Sequence, residues 1–188
     1  MATQCTLAPF INQEFYITGT WGEQRQGHLH AGLDLATGGQ NNVYNMKEGY
    51  VIYQDPQGTS GSGYGPYLII QSVDGTTWLY GDLSPFTPFQ TNEFIQAGQY
   101  LAQEGNPAGT SSTGLHVHVE LEMLTFGQSF QYGYNNSSDP CIPLGLPNQI
   151  GGPYIFDGIV ISQRKLKKGF KFVLYANKLR NKYNKKRG

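Results

Sequence analysis

The chain has 188 residues, enough for one domain of ordinary size with a short extension. Only 14% of the residues are charged, against roughly 25% in typical globular chains, while glycine (25), tyrosine (13) and phenylalanine (10) are abundant. That profile fits a turn-rich β-protein and argues against a helix bundle or coiled coil, and no apolar run reaches the roughly 18 residues of a membrane span.

Short strand-like segments follow one another over the first 157 residues. Candidate strands are Phe15–Thr18, Gly49–Gln54, Tyr67–Ser72, Thr76–Tyr80, Tyr100–Gln103 and His116–Leu121. Turn signals separate them: Asp55-Pro56-Gln57-Gly58, Gly61-Ser62-Gly63, Asp74-Gly75 and Gly105-Asn106-Pro107. Asp74-Gly75 predicts a hairpin, because both residues tolerate positive φ. Together these features predict a mostly β, antiparallel single domain over residues 1–157. Gly152–Gly158, with Pro153, reads as a closing linker. Beyond it Leu166, Phe170, Val173, Leu174 and Tyr183 interleave with basic residues, which predicts an amphipathic helix from Phe170 to Lys185.

A net charge of zero conceals an asymmetry. Residues 1–157 hold all 13 acidic residues and only two basic ones, Arg25 and Lys47. Residues 158–188 hold every other lysine and arginine and no acid. The chain reads as an acidic globule with a basic tail. The Met1–Cys5 segment has neither the basic nor the apolar region of a secretory signal. Cys5 and Cys141 are too few for a disulfide scaffold. Lying near the two ends of the domain, they either pair with each other or remain free thiols.

The four histidines fall in two tight clusters, His28/His30 and His116/His118. On a strand, His116, His118 and Glu120 share one face, and Leu115, Val117 and Val119 take the other. The first cluster adds His30 and Asp34, a nitrogen and an oxygen donor four residues apart. Two histidines and one carboxylate from separate segments form the ligand set of a catalytic zinc site, with a position left for water or substrate. For a single histidine an ordinary surface role is the better reading; two glycine-flanked clusters make that reading poor.

These segments resemble the lysostaphin-like, or β-lytic, zinc endopeptidases that cut peptides of bacterial peptidoglycan. His30-Ala31-Gly32-Leu33-Asp34 is similar to the family's first motif, and Gly114-Leu115-His116-Val117-His118-Val119-Glu120 to its second. Lesser landmarks also match: Gly22 to Arg25, Glu48-Gly49-Tyr50-Val51, Gly98-Gln99-Tyr100-Leu101, the loop from Gly105 to Gly114, and Asp139-Pro140. The resemblance covers about residues 15–145. It implies a sheet of the duplicated-hybrid-motif type, with His30, Asp34 and His118 as zinc ligands and His116 as a catalytic histidine. Glu120 is either a carboxylate that orients a ligand histidine or an ordinary strand-face acid. His28 matches no family role.

One departure bears on activity. Where the family carries a second catalytic histidine, in Tyr-x-His-Leu-Ser, this chain reads Tyr80-Gly81-Asp82-Leu83-Ser84. Asp82 can accept a proton as a general base, but it cannot donate a neutral N–H. The resemblance therefore implies an active peptidoglycan endopeptidase acting at the cell wall. The alternative is a zinc-binding module, catalytically impaired, that binds wall or serves a phage tail or wall assembly. A phage virion protein would reach the wall without a signal peptide. Gly58 to Gly65 reads as a groove loop or a plain hairpin turn, and Tyr64, Tyr80, Tyr132 and Tyr134 as cleft or packing residues. The basic tail has three readings: binding an anionic polymer, docking on an acidic partner protein in a virion, or plain solvation. The acidic globule makes nucleic acid a poor partner.

Overall fold

Alternation governs the first long strand. From Glu14 to Gly19 burial switches at every residue, with Phe15 and Ile17 inward and Glu14, Tyr16 and Thr18 outward. The computed structural model describes residues 2–106, 114–124, 131 and 133–157. Among these, twelve strands occur: β1 (Thr3–Gln4), β2 (Glu14–Gly19), β3 (Leu33–Ala36), β4 (Asn42–Tyr44), β5 (Gly49–Asp55), β6 (Tyr67–Ser72), β7 (Thr77–Gly81), β8 (Phe94–Ile95), β9 (Tyr100–Gln103), β10 (Val117–Glu122), β11 (Ser137–Ser138) and β12 (Gly151–Ile155). A four-residue helix, α1 (Cys141–Leu144), ends at Gly145 in the left-handed conformation.

The main sheet has the order β1-β12-β2-β3-β10-β7-β6-β5-β8, with β11 on β10, while β4 and β9 pair separately. Its pairs are antiparallel except β1 with β12. The protein is thus mostly β, as its composition and turn spacing predict. Asp74-Gly75 closes the β6–β7 hairpin, with Gly75 at φ 92° and Thr76 donating to the Asp74 side chain.

The core lies on one side of the sheet. Phe15, Ile17, Leu33, Leu35, Leu68, Ile70, Trp78, Val117 and Val119 are all shut from solvent. Strand β6 is buried on both faces, since Tyr67 and Ile69 pack with Leu79 in a second cluster. That double burial explains its unbroken apolar run.

Tyr80 takes the packing reading: it is fully buried, and its hydroxyl donates to Asn45 Oδ1 and accepts from the Met46 N–H. One expectation needs correction. Leu115 does not join Val117 and Val119 in the core but is 37% exposed, because β10 begins only at Val117. Cys5 and Cys141 are buried free thiols. Among the described residues, no helix is long and apolar enough to cross a membrane. The basic tail, its expected helix, Tyr132 and positions 107–113 lie outside the described residues.

Candidate active site

Strand β10 runs between β3 and β7, and register puts the chemistry in line. His118 pairs with Asp34 on one side and with Gly81 on the other. Asp82 follows directly, held at φ 52° by its N–H, which donates to the Tyr64 carbonyl at 2.7 Å. Val117 and Val119 anchor β10 in the core, so His118, Glu120 and Glu122 must face the other way.

His30 arrives from the loop before β3. Its N–H donates to the Glu23 carbonyl and its own carbonyl accepts from the Gly22 N–H, which fixes the backbone. Between His30 and Asp34, Gly32 lies against β10. A Cβ there would strike the Val119 carbonyl oxygen and come within 2.9 Å of His118 Nε2. Glycine is required by this close approach.

Hydrogen-bond partners set both tautomers. His30 Nδ1 donates to the Thr20 carbonyl at 2.8 Å, leaving Nε2 as the bare nitrogen. His118 Nε2 donates to Glu120 Oε1 at 2.8 Å, leaving Nδ1 bare. These two lone pairs and Asp34 Oδ1 form a triangle: His30 Nε2 is 3.0 Å from His118 Nδ1 and 3.1 Å from Asp34 Oδ1, and His118 Nδ1 is 2.9 Å from Asp34 Oδ1. Arg25 holds the other Asp34 oxygen at 2.9 Å and also pairs with Glu23.

Three electron pairs so close require a positive charge among them, either a proton or a metal ion. Burial works against proton uptake by His118, yet the bonds to Asp34 and Glu120 raise its pKa well above the ordinary imidazole value. Burial would likewise raise Asp34, but its contacts with His118 and His30 hold it well below the carboxylate range. All three residues are buried. Two imidazoles and a carboxylate in this arrangement fit a tetrahedral divalent ion of the zinc type, with an open fourth position.

A second group adjoins the first. His116 Nδ1 donates to the Gly114 carbonyl at 2.9 Å, and its Nε2 stands 3.2 Å from Asp82 Oδ2 and 3.7 Å from Asp34 Oδ1. Beneath the triangle, Glu120 and Glu122 share a buried contact. Burial and then the Glu120 carboxylate push the Glu122 pKa up to about 10, so Glu122 stays protonated and donates to Glu120. Burial would raise Glu120 as well, but the His118 bond keeps it low and ionised. Tyr64 completes this layer, its ring lying 5.6 Å from that of His118.

These groups open into a groove of about 1050 Å³. His28 and Leu29 form one wall, Ser62 to Tyr64 of the glycine-rich loop another, and Tyr134 to Asn136 a third. All six residues singled out in the sequence (His30, Asp34, His118, His116, Asp82 and Glu120) meet here. Glu122 was missed, although it continues the two-residue alternation from His116. Sequence offered no signal for Thr20, and Arg25 appeared only as a landmark.

The sequence profile of peptidase family M23 matches residues 28–131. The chain belongs to peptidase family M23. A search of curated proteins finds no significant match. Among solved structures, the catalytic domain of a point mutant of EnpA, a prophage-encoded M23 protein from Enterococcus faecalis, is 25% identical. That match has a TM-score of 0.52 and covers 71% of this chain and 94% of that one. The catalytic domain of lysostaphin from Staphylococcus simulans is 20% identical at TM-score 0.54, covering 71% and 93%. A chain from the SpoIIIAH–SpoIIQ complex is 16% identical at TM-score 0.55, covering 74% and 100%. The last two likenesses concern the fold. M23 proteins are metallopeptidases and include endopeptidases that cleave peptidoglycan, so the lysostaphin-like resemblance and the β-fold it implied both hold.

Proposed function

We propose that this M23 domain is a zinc-dependent endopeptidase that hydrolyses peptide bonds of bacterial peptidoglycan, in the stem peptide or the cross-bridge. The observation that carries this reading is the triangle of three converging ligand atoms, His30 Nε2, Asp34 Oδ1 and His118 Nδ1. These three residues would hold the ion. When bound, zinc acidifies water and polarises a carbonyl.

The remaining work falls to neighbouring side chains. Asp82 accepts the proton of the attacking water, since its Oδ1 is buried with no hydrogen-bond partner among the described residues. His116, protonated at Nε2 beside Asp82, donates toward the developing oxyanion and then to the leaving amine. Glu120 orients His118, and Arg25 orients Asp34. The groove accommodates an extended peptide between the Tyr64 and Tyr134 walls.

We infer a β-domain of residues 1–157 and a basic tail of residues 158–188 that binds an anionic wall polymer or an acidic partner. Action at the cell wall, delivered by a phage virion, is supported by the likeness to a prophage-encoded M23 protein. Asp82 favours a second reading, a zinc-binding module with impaired catalysis. Release of new amino groups from purified sacculi, measured for wild type, His116→Ala and Asp82→Ala with metal content checked, decides between them. Release that needs His116 supports the enzyme. No release by zinc-loaded wild type on several cross-bridge types supports the module.

A further inference from the structure

We propose that the groove holds a second divalent cation, bound by His116 Nε2, Asp82 and a shared Asp34 Oδ1, and that filling this site inhibits the enzyme. The inference rests on the zinc reading of the first site and extends it.

Asp34, Asp82 and His116 each present a donor atom, and these atoms lie within 4.8 Å of one another. The closest pairs are His116 Nε2 with Asp82 Oδ2 at 3.2 Å and with Asp34 Oδ1 at 3.7 Å. All three residues are buried, Asp82 being 8% exposed. Asp82 Oδ1 has no hydrogen-bond partner among the described residues, and a buried carboxylate oxygen left so demands a donor or a cation. Gly114 accepts from His116 Nδ1, which presents Nε2 to the groove, as a backbone acceptor does for many ligand histidines. Backbone geometry fixes the third donor: the Asp82 N–H is anchored on the Tyr64 carbonyl.

Sharing is forced on one oxygen. Arg25 occupies Asp34 Oδ2 at 2.9 Å, so Oδ1 alone serves both sites. Paired cations bridged in this way commonly stand about 3.5–4 Å apart. One nitrogen and two carboxylate oxygens suit zinc, cobalt or manganese. The aspartate at position 82 supplies the negative charge that a histidine there would not, and the acidic 1–157 segment draws cations to the groove. A cation in this site displaces to solvent the proton between His116 and Asp82. It thereby removes the acceptor and the donor that hydrolysis uses.

The test is calorimetric titration of metal-free, full-length protein with zinc, repeated with cobalt and followed by electron paramagnetic resonance. Wild type is expected to take up one tight and one weaker equivalent, with the cobalt signal losing amplitude as the second ion couples to the first. Hydrolysis of sacculi should fall as the weaker equivalent loads. Asp82→Asn, and independently His116→Gln, should keep the tight equivalent and lose the weaker one. Saturation of wild type at one equivalent, or a second equivalent unchanged in both variants, overturns the proposal and leaves the first site standing. Absence of any tight equivalent in wild type, or its persistence in His118→Ala, overturns the zinc reading and this inference with it.

Discussion

Nε2 of His116 stands 3.2 Å from Oδ2 of Asp82, an imidazole–carboxylate pair where the lysostaphin-like pattern has two histidines. Burial disfavours the imidazolium, but the Asp82 hydrogen bond and the Asp34 charge raise the His116 pKa above its ordinary value. In the proposed mechanism this pairing favours a proton on His116 Nε2. Asp82→Ala is expected to lower kcat/KM on a wall peptide by about 10²–10⁴-fold. The alkaline limb of the pH profile should move to lower pH, because the uncharged variant no longer holds the His116 proton. An unmoved limb would separate Asp82 from His116 function.

Glu120 accepts from His118 Nε2 at 2.8 Å. Glu120→Ala should weaken zinc binding by about 10–100-fold, since the ligand tautomer is no longer fixed. Zinc competition with a chromophoric chelator checks the value.

Glu122 governs part of the pH dependence of folding. Its pKa rises from 4.5 to about 10 in the folded protein. The folded form therefore keeps a proton that the unfolded chain gives up above 4.5, and this contribution to stability is lost as pH rises from 4.5 toward about 10. Glu122→Gln retains a donor for Glu120 without the ionisable proton. Its Tm should decline less than that of wild type over this range, measured by thermal melts at several pH values.

Gly32→Ala should be destabilising by about 1–3 kcal/mol through overpacking between the first histidine segment and β10. The new methyl group meets the Val119 carbonyl, which is backbone and cannot swing away. Zinc uptake should fall in the same variant, because His118 and Glu120 border the same spot. Equilibrium unfolding and metal analysis of one sample read both effects.

The two cysteines should be silent toward a thiol reagent in the native state and react after denaturation. Burial pushes Cys5 up to about 11 and Cys141 up to about 12, so neither offers thiolate at neutral pH. Counting reactive thiols before and after addition of denaturant tests this.

Much of this architecture was legible because local patterning and burial agree. Residues of β2, β5, β6, β9 and β10 could be read from alternation or apolar runs, and Asp74-Gly75 from turn chemistry. Strand β3 escaped notice, as its four residues are hidden inside a motif. The β1–β12 pairing joins residues some 150 positions apart and leaves no local trace. In the site, the histidines announced themselves by clustering. Tyr64 against His118 was illegible for the opposite reason: the loop and the strand meet only through the fold. Tyr80 stayed open between cleft and packing because a tyrosine's amphipathic side chain suits a core as well as a cleft when its hydroxyl finds Asn45.

The sheet order also has a mechanical meaning. Strands β1 and β12, the first and last among the described residues, form one edge, and β2 and β3 separate them from β10. The described residues therefore enter and leave the sheet at that edge. A load carried through either end bears first on short edge pairings of two residues on β1 and three on β12. The histidine-bearing strand, paired on both flanks and two strands removed from that edge, is shielded from the first effect of such a load.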